Sequence, residues 1–357
     1  DGDNLKVAGD VTAASYNTGP LAGLRNRINN GDLRVWQRGT GPAAVGTTSL
    51  TITLADRFYV RATGQTGGTP TQELYVDGNT NKHRYTAVNL TGSSYFGQKF
   101  EAQNISDLAG KKVTLSFHSS YVPRIGFSVY DSDGNLVSPP DAVSYPDVEG
   151  QVFCPFTRVG TKNTATFTVP DVVIGEKPNS TGGTIQIGYA DYALPLPDGN
   201  YDTWDIQLEP GTVATPLEAI PYSLSLSICQ RYFYVTNESA LGYQYSSNAT
   251  AVFINYAVPM RVPPTMTATP ANFQLFSPVQ GNGSSTTIYS PCATLTKQAT
   301  IYSVNQATIA ATGSTPALPG DRNGQVVLLI PATSQATPYD VSKQIQFNAD
   351  VFEVLDD

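Results

Sequence analysis

Residues 200–235, NYDTWDIQLEPGTVATPLEAIPYSLSLSICQRYFYV, constrain this chain more than any other stretch. Trp204, Ile206 and Leu208 alternate with Asp205, Gln207 and Glu209. That period of two specifies a half-buried antiparallel strand with the apolar trio on one face. Pro210 and Gly211 stop it. Thr215-Pro216 and Ile220-Pro221 keep the next ten or so residues extended, because a residue before proline avoids the helical region. A second apolar and aromatic run follows at 224–234, with a strand expected over 229–235. The stretch therefore reads as the last strand of one β-domain, a pinned connector, and the first element of another.

The rest of the chain repeats this style. Short period-two runs fall at 30–38, 49–54, 58–62, 72–76, 84–90, 95–102, 112–118, 126–130, 136–137, 164–169 and 184–189, separated by Gly, Pro, Asn and Asp. In the first of them Leu33 and Val35 alternate with Arg34 and Trp36. Beyond residue 222 similar runs fall at 251–258, 265–269, 274–276, 286–289, 299–304, 308–311, 325–330 and 344–354. Charged residues make up 14% of the chain, below the roughly 25% of an average soluble domain, and there are 20 tyrosines, the palette of pleated sheets. The expected fold class is all-β: two antiparallel, jelly-roll-like β-sandwich domains, 29–211 and 222–357, after a short N-terminal oligomerisation segment, 1–28. That segment has only the apolar pairs Leu5/Val7 and Val11/Ala13 and one short helix expected over 20–28, PLAGLRNRI. It is too polar to bury a core alone, and copies of itself would supply one.

Several function classes are disfavoured at this level. A net charge of −8 argues against nucleic acid or an anionic membrane as partner. No apolar run approaches the ~20 residues of a membrane-spanning helix, so no membrane insertion is expected. Cys154, Cys229 and Cys292 are far apart and odd in number, which supports packed thiols rather than a zinc or redox pair. The chain starts at Asp1 with neither an initiator Met nor a signal peptide, so a processed product or fragment is expected.

Candidate chemistry is sparse. DSDGN at 131–135 resembles the start of an EF-hand loop, but position twelve is Ala142 and the run lies between two strands, so a hairpin turn is expected. The only histidines, His83 and His118, are expected at the surface: His118 on the polar face of a strand, His83 in the loop-like NTNKHR. Carboxylate pairs such as Asp131/Asp133 or Asp202/Asp205 suit glycoside hydrolysis only if they flank a cleft. No long internal repeat of the β-helix kind is present, and no enzyme activity is expected.

The order NGDLRVWQRGT, ADRFYV, WDIQLEPGTVATPLEAIPYSLSLSICQRYFYV and VPMRVPPTMT, spread over residues 29–270, resembles bacteriophage tail-fibre and virion appendage proteins. In that family a carbohydrate-binding-module-like jelly roll ends in a "QLE-G-ATP-E" pattern, and a smaller C-terminal β-domain opens on "CQRYY"; here Phe233 replaces the second tyrosine. The resemblance implies a virion protein. It would be a homotrimeric fibre end joined to other virion proteins through its N-terminal segment and binding host surface polysaccharide or lipopolysaccharide. It also implies a structural calcium site at Asp32 and Asp205, against which stands the frequency of carboxylates on strand surfaces; no other cofactor is expected. For sugar contact the useful groups are exposed aromatics beside amides: Tyr243 and Tyr245 in GYQYSSN, with Phe273, Phe276 and Tyr289 near glycine-rich turns at 279–285 and 313–323. Tyrosines at period two serve equally as core or subunit-contact residues. Three readings stay open: a receptor-binding fibre, a structural head-fibre or decoration protein, and a glycan-degrading tailspike.

Overall fold

The computed structural model describes residues 25–46, 50–52, 54–144, 152–175, 182–189, 197–236, 242–246, 249–255 and 257–261. Beyond these it describes the strands 265–267, 274–279, 288–294, 300–304, 325–331 and 345–348. The chain divides into two compact units, residues 1–225 with 351–357, and residues 226–350.

In the first unit the strands in chain order are β1 (Ala43–Ala44), β2 (Leu50–Ile52), β3 (Phe58–Gly67), β4 (Thr71–Asp77), β5 (Thr80–Ala87) and β6 (Leu90–Phe100). A short helix α1 (Ala102–Ile105) and a 3-10 turn lead to β7 (Lys112–Ser119), β8 (Arg124–Tyr130), β9 (Leu136–Val137), β10 (Val143–Ser144) and β11 (Val152–Phe153). Then come β12 (Thr157–Val159), β13 (Lys162–Thr168), β14 (Gly183–Gly188) and β15 (Gly199–Pro210). A seven-stranded sheet runs β1-β4-β5-β15-β7-β13-β12, and a six-stranded sheet runs β2-β3-β6-β14-β8-β9. All pairings are antiparallel. The chain crosses from one sheet to the other after β1, β3, β5, β6, β7, β13 and β14, and returns from β9 to β12 by way of the β10-β11 pair, the pattern of a jelly-roll-like sandwich. Period-two side chains from both sheets fill the space between: Phe58, Phe96, Ile185 and Ile187 from one, Tyr85, Phe117, Phe167 and Leu208 from the other. The hairpin expected at DSDGN is present: Tyr130 pairs with Leu136, and the Asp131 carboxylate accepts the N–H groups of Asp133 and Asn135. Those bonds, the Asn135 N–H first, hold Asp131 below the usual carboxylate range.

Three local expectations are corrected. Residues 30–38 form turns and extended coil, not a strand. Asn30 and Leu33 take positive φ (59° and 53°), and Leu33 N–H donates to the Asn30 carbonyl, so the alternation is bent out of any ladder while Leu33 and Val35 stay buried. Residues 25–28, the end of the expected first helix, are not helical; Arg27 N–H instead donates to Leu208 O on β15. Residues 1–24 lie outside the described residues. The expected strand at 229–235 starts later, because helix α2 (Tyr222–Gln230) precedes it and the strand is β16 (Phe233–Thr236). Pro221 fits the first turn, its carbonyl accepting Leu224 and Ser225 N–H, and the Leu/Ser/Ile run that follows has no glycine or proline to stop it.

Gly31 shows how tightly this region fits. Its carbonyl accepts Ile206 N–H at 2.8 Å, and a Cβ built on it lies 2.0 Å from Ile206 O. Gly31→Ala should therefore destabilise the unit by about 3 kcal/mol, the upper end for overpacking, read as a lower urea midpoint with unchanged slope. An unchanged midpoint contradicts the close approach.

In the second unit the strands are β17 (Gly242–Ser246), β18 (Ala249–Asn255), β19 (Thr265–Thr267), β20 (Gln274–Val279), β21 (Ile288–Thr294), β22 (Thr300–Val304), β23 (Gln325–Pro331) and β24 (Ile345–Asn348). They form antiparallel sheets ordered β16-β24-β19, β17-β18-β23-β22 and β20-β21. The strand expected at 308–311 and the glycine-rich loop 313–323 lie outside the described residues, as does most of loop 279–285.

Candidate functional site

NGDLRVWQR, ADRFYV and QLEPGTVATPLE, part of the stretches that carry the resemblance, are internal fasteners of the first unit. Asn30 Nδ2 donates to the carbonyls of Val35 and Asp56, and Asn30 Oδ1 accepts Val35 N–H. The buried Asp56 carboxylate takes Gln37 Nε2 at 2.7 Å and Arg38 Nη1 at 2.9 Å. NGDLRVWQR and ADRFYV are thereby one hydrogen-bonded lock. The QLEPG…ATPLE pattern makes a second. Gln207 Nε2 donates to Glu209 Oε1 (2.8 Å) and Thr215 Oγ1 (3.0 Å), while Glu209 also accepts Thr215 N–H (2.8 Å) and Thr215 Oγ1–H (2.7 Å). Glu218 N–H donates to Gln207 Oε1 at 2.7 Å, and Arg25 pairs with Glu209 at 3.2 Å.

The expected alternation across Trp204, Ile206 and Leu208 is broken by a β-bulge. The register of β15 against β7 shifts between Trp204 and Gln207, and Asp205 sits at φ 52°. The extra residue turns Ile206 and Leu208 into the core and leaves Trp204 on the outer face of the seven-stranded sheet. Register fixes that face. Thr203 pairs with the buried His83, so its neighbours Asp202 and Trp204 point the other way, with Arg84 and His118 opposite them. The Gln207 end of the face is covered by residues 211–218. The Trp204 end carries a row of aromatic and cationic groups.

In that row Arg84 grips Asp202 bidentately, Nε to Oδ1 at 2.8 Å and Nη2 to Oδ2 at 2.9 Å, which raises the guanidinium pKa. Its Cζ lies 3.4 Å from the Tyr75 ring centroid. Lys82 Nζ lies 4.3 Å from the Trp204 centroid and pairs with the exposed Asp77 at 2.8 Å. From the strand on the other side, His118 stacks on Trp204 at 5.4 Å and bonds Thr161 Oγ1 through Nδ1. Burial lowers the His118 pKa, against the pull of Asp205. Asp205 itself is raised, first by burial and also by Asp32, with His118 and Lys82 opposing. Tyr75, Lys82, Arg84 and Trp204 are not among the site residues expected from the sequence. The signal was there in Lys82 and Arg84 alternating with His83 and Tyr85.

Both histidines differ from expectation. His83 is fully buried, stacked at 4.2 Å on Phe96, with Gln72 Oε1 3.4 Å from Nε2 and Tyr189 OH 3.3 Å from Nδ1. NTNKHR is the start of β5, and its alternation turns His83 inward; burial pushes its pKa down to about 3. His118 is half-buried rather than freely solvated. Cys154 and Cys229 are buried, and burial pushes the Cys154 thiol up to about 12.

Asp32 and Asp205 are near enough to feel each other, but Arg34 Nε donates to the Asp32 carboxylate and Lys82 and His118 act on Asp205. Two carboxylates beside these cations do not fit a calcium ion, which wants six to eight oxygens. Among the described residues no group of three or more His, Cys, Asp or Glu side chains gathers to hold a metal. Tyr243 and Tyr245 lie on β17, where the pairing with β18 slips between Gln244 and Ser246. Tyr289 lies on β21, opposite Pro278, and Phe276 on β20, opposite Pro291; the side chains of all four fall outside the described residues, and Phe273 does so entirely. Among the described residues no helix is long and apolar enough to cross a membrane.

No family model matches the chain, and no curated protein matches it. Among solved structures, the enzymatically active domain of tailspike protein 4 of bacteriophage CBA120 is similar at TM-score 0.29 and 12% identity, over 52% of this chain and 22% of that one. The chain thus spans about a fifth of that structure's length, and a likeness of this depth carries no argument about activity.

Proposed function

We propose that the chain is a non-enzymatic tail-fibre protein that attaches a phage particle to host surface polysaccharide or lipopolysaccharide. It would work as a homotrimer held together, and to other virion proteins, by residues 1–28. The observation that supports this best is the outer face of the seven-stranded sheet. There Tyr75 and Trp204 stand half-buried on a rigid sheet among Arg84, Asp202, Lys82 and His118, a mixture of apolar ring and fixed donors and acceptors suited to a pyranose. Each cation in the row already has a partner, Asp202 for Arg84 and Asp77 for Lys82, so binding should favour uncharged sugars and change little with salt.

A second reading has a specific observation behind it. Lys82 and His118 flank Trp204, and Arg84 covers Tyr75. Those contacts also suit a purely structural part, such as a head fibre or decoration protein. Incubation of the intact chain with host cells and with their isolated polysaccharide separates the readings. A receptor-binding fibre adheres and releases no reducing ends. A structural part does not adhere, and a tailspike shortens the polymer. The pair Tyr243 and Tyr245 is tested in the same assay: if Tyr243→Ala with Tyr245→Ala abolishes adhesion and Trp204→Ala does not, the contact lies in the second unit.

A further inference from the structure

Residues 25–27 precede the strands of the sandwich and residues 215–220 follow them, and these two segments are fastened to each other. Arg25 Nη2 donates to Thr215 Oγ1 at 2.9 Å, across 190 positions of sequence. Asn26 N–H donates to Glu218 Oε2 at 2.8 Å, across 192 positions. Arg34 Nη2 donates to the Ile220 carbonyl. Both segments are also tied to the same short length of β15. Arg27 N–H donates to Leu208 O, and Leu208 N–H to Asn26 Oδ1, on the incoming side. On the outgoing side Glu218 N–H donates to Gln207 Oε1. Glu209 is 1% and Glu218 8% exposed, so water does not compete freely for these bonds.

We propose that this cluster is a mechanical clamp. Tension applied between the chain ahead of residue 25 and the chain beyond residue 220 passes across it. Residues 28–206, which form most of the sandwich, are not stretched until it breaks. The physical reason is that a short link in parallel with a long folded loop reaches its limit of extension first and takes the force. The clamp does not depend on what the protein binds. An adhesive appendage under shear is one setting in which it would keep a binding face undistorted.

The test is to hold the intact chain by its two ends in optical tweezers. Opening of residues 28–206 adds about 3.4 Å per residue, roughly 600 Å in all, which identifies the step. Glu218→Ala removes the Asn26 link and leaves the Glu209 bonds in place. It should lower the force of that step by about a third, since one of three direct charge-assisted links is lost while Arg25 keeps Thr215 and Glu209. In a second geometry, peptide handles inserted in the β4–β5 and β8–β9 turns load the sandwich without loading the clamp. There Glu218→Ala should leave the force unchanged. An equal fall in both geometries would show that Glu218 only stabilises the fold, and an unchanged end-to-end force would show that the clamp carries no tension; either overturns the proposal.

Discussion

Glu209→Ala should destabilise the first unit by about 3–5 kcal/mol, the range for breaking a buried ion pair by removing one partner. The carboxylate is 1% exposed and serves four groups: Arg25, Gln207 Nε2, Thr215 N–H and Thr215 Oγ1. Alanine leaves the partly exposed Arg25 guanidinium, the buried Gln207 amide and the buried Thr215 N–H without that acceptor. For a unit of this size the melting temperature should fall by on the order of 10 °C. Removing the exposed Asp77, which pairs with Lys82 across the mouth of a hairpin, should cost far less, because water and salt screen an exposed pair. Urea unfolding of both variants measures the contrast. A Glu209→Ala loss no larger than that of Asp77→Ala would mean that the motif is not a fastener.

Acid should weaken the same unit through His83. Its pKa is about 3 in the folded chain against 6.5 when free, so between those values the unfolded chain binds a proton that the folded chain does not. Stability from this group is complete above pH 6.5 and falls as the pH drops towards 3, by at most about 1.4 kcal/mol per pH unit. The groups against it are neutral: the Gln72 amide, the Tyr189 hydroxyl and the rings of Phe96 and Trp36. Nothing there welcomes an imidazolium. His83→Phe removes the titrating group, so the loss of stability between pH 7 and pH 4 should shrink by about 3 kcal/mol relative to the native chain. Equal pH slopes for the two proteins would mean that His83 is not buried neutral.

The sheets were legible because alternation is local. Val113, Leu115 and Phe117 against Lys112, Thr114 and His118 announce β7 without help from the rest of the chain. The bulge at Asp205 was not legible. One inserted residue reverses every later side chain, and aspartate reaches positive φ without any marker in the sequence. The alternation of Trp204 with Ile206 marks a strand, but the bulge between them puts the two side chains on opposite faces. The turn at residues 30–38 was lost for a similar reason, since Leu33 at positive φ is set by the distant partners of Asn30. His83 was misplaced because NTNKHR is polar, and polar residues around a tight hairpin look like a loop. The motifs themselves were visible, but what they do was not. Gln207, Glu209, Thr215 and Glu218 act on one another and on Arg25 and Asn26, nearly two hundred positions away. The aromatic and cationic row was not legible because its members come from four strands and meet only through register. Helix α2 was missed because serine and leucine in alternation suit a strand as well as a helix.

Whether the outer face of the seven-stranded sheet is the saccharide surface is decided by calorimetric titration of the intact chain. The titrant is polysaccharide purified from bacteria to which the chain adheres, and the comparison is native chain against Tyr75→Ala with Trp204→Ala. Melting of the double variant, followed in parallel, establishes that it is folded. The expected result is binding weakened by about tenfold or more, about 1.4 kcal/mol at least, from a protein that still melts cooperatively. Unchanged affinity in a folded double variant would contradict the assignment and move the contact to the second unit.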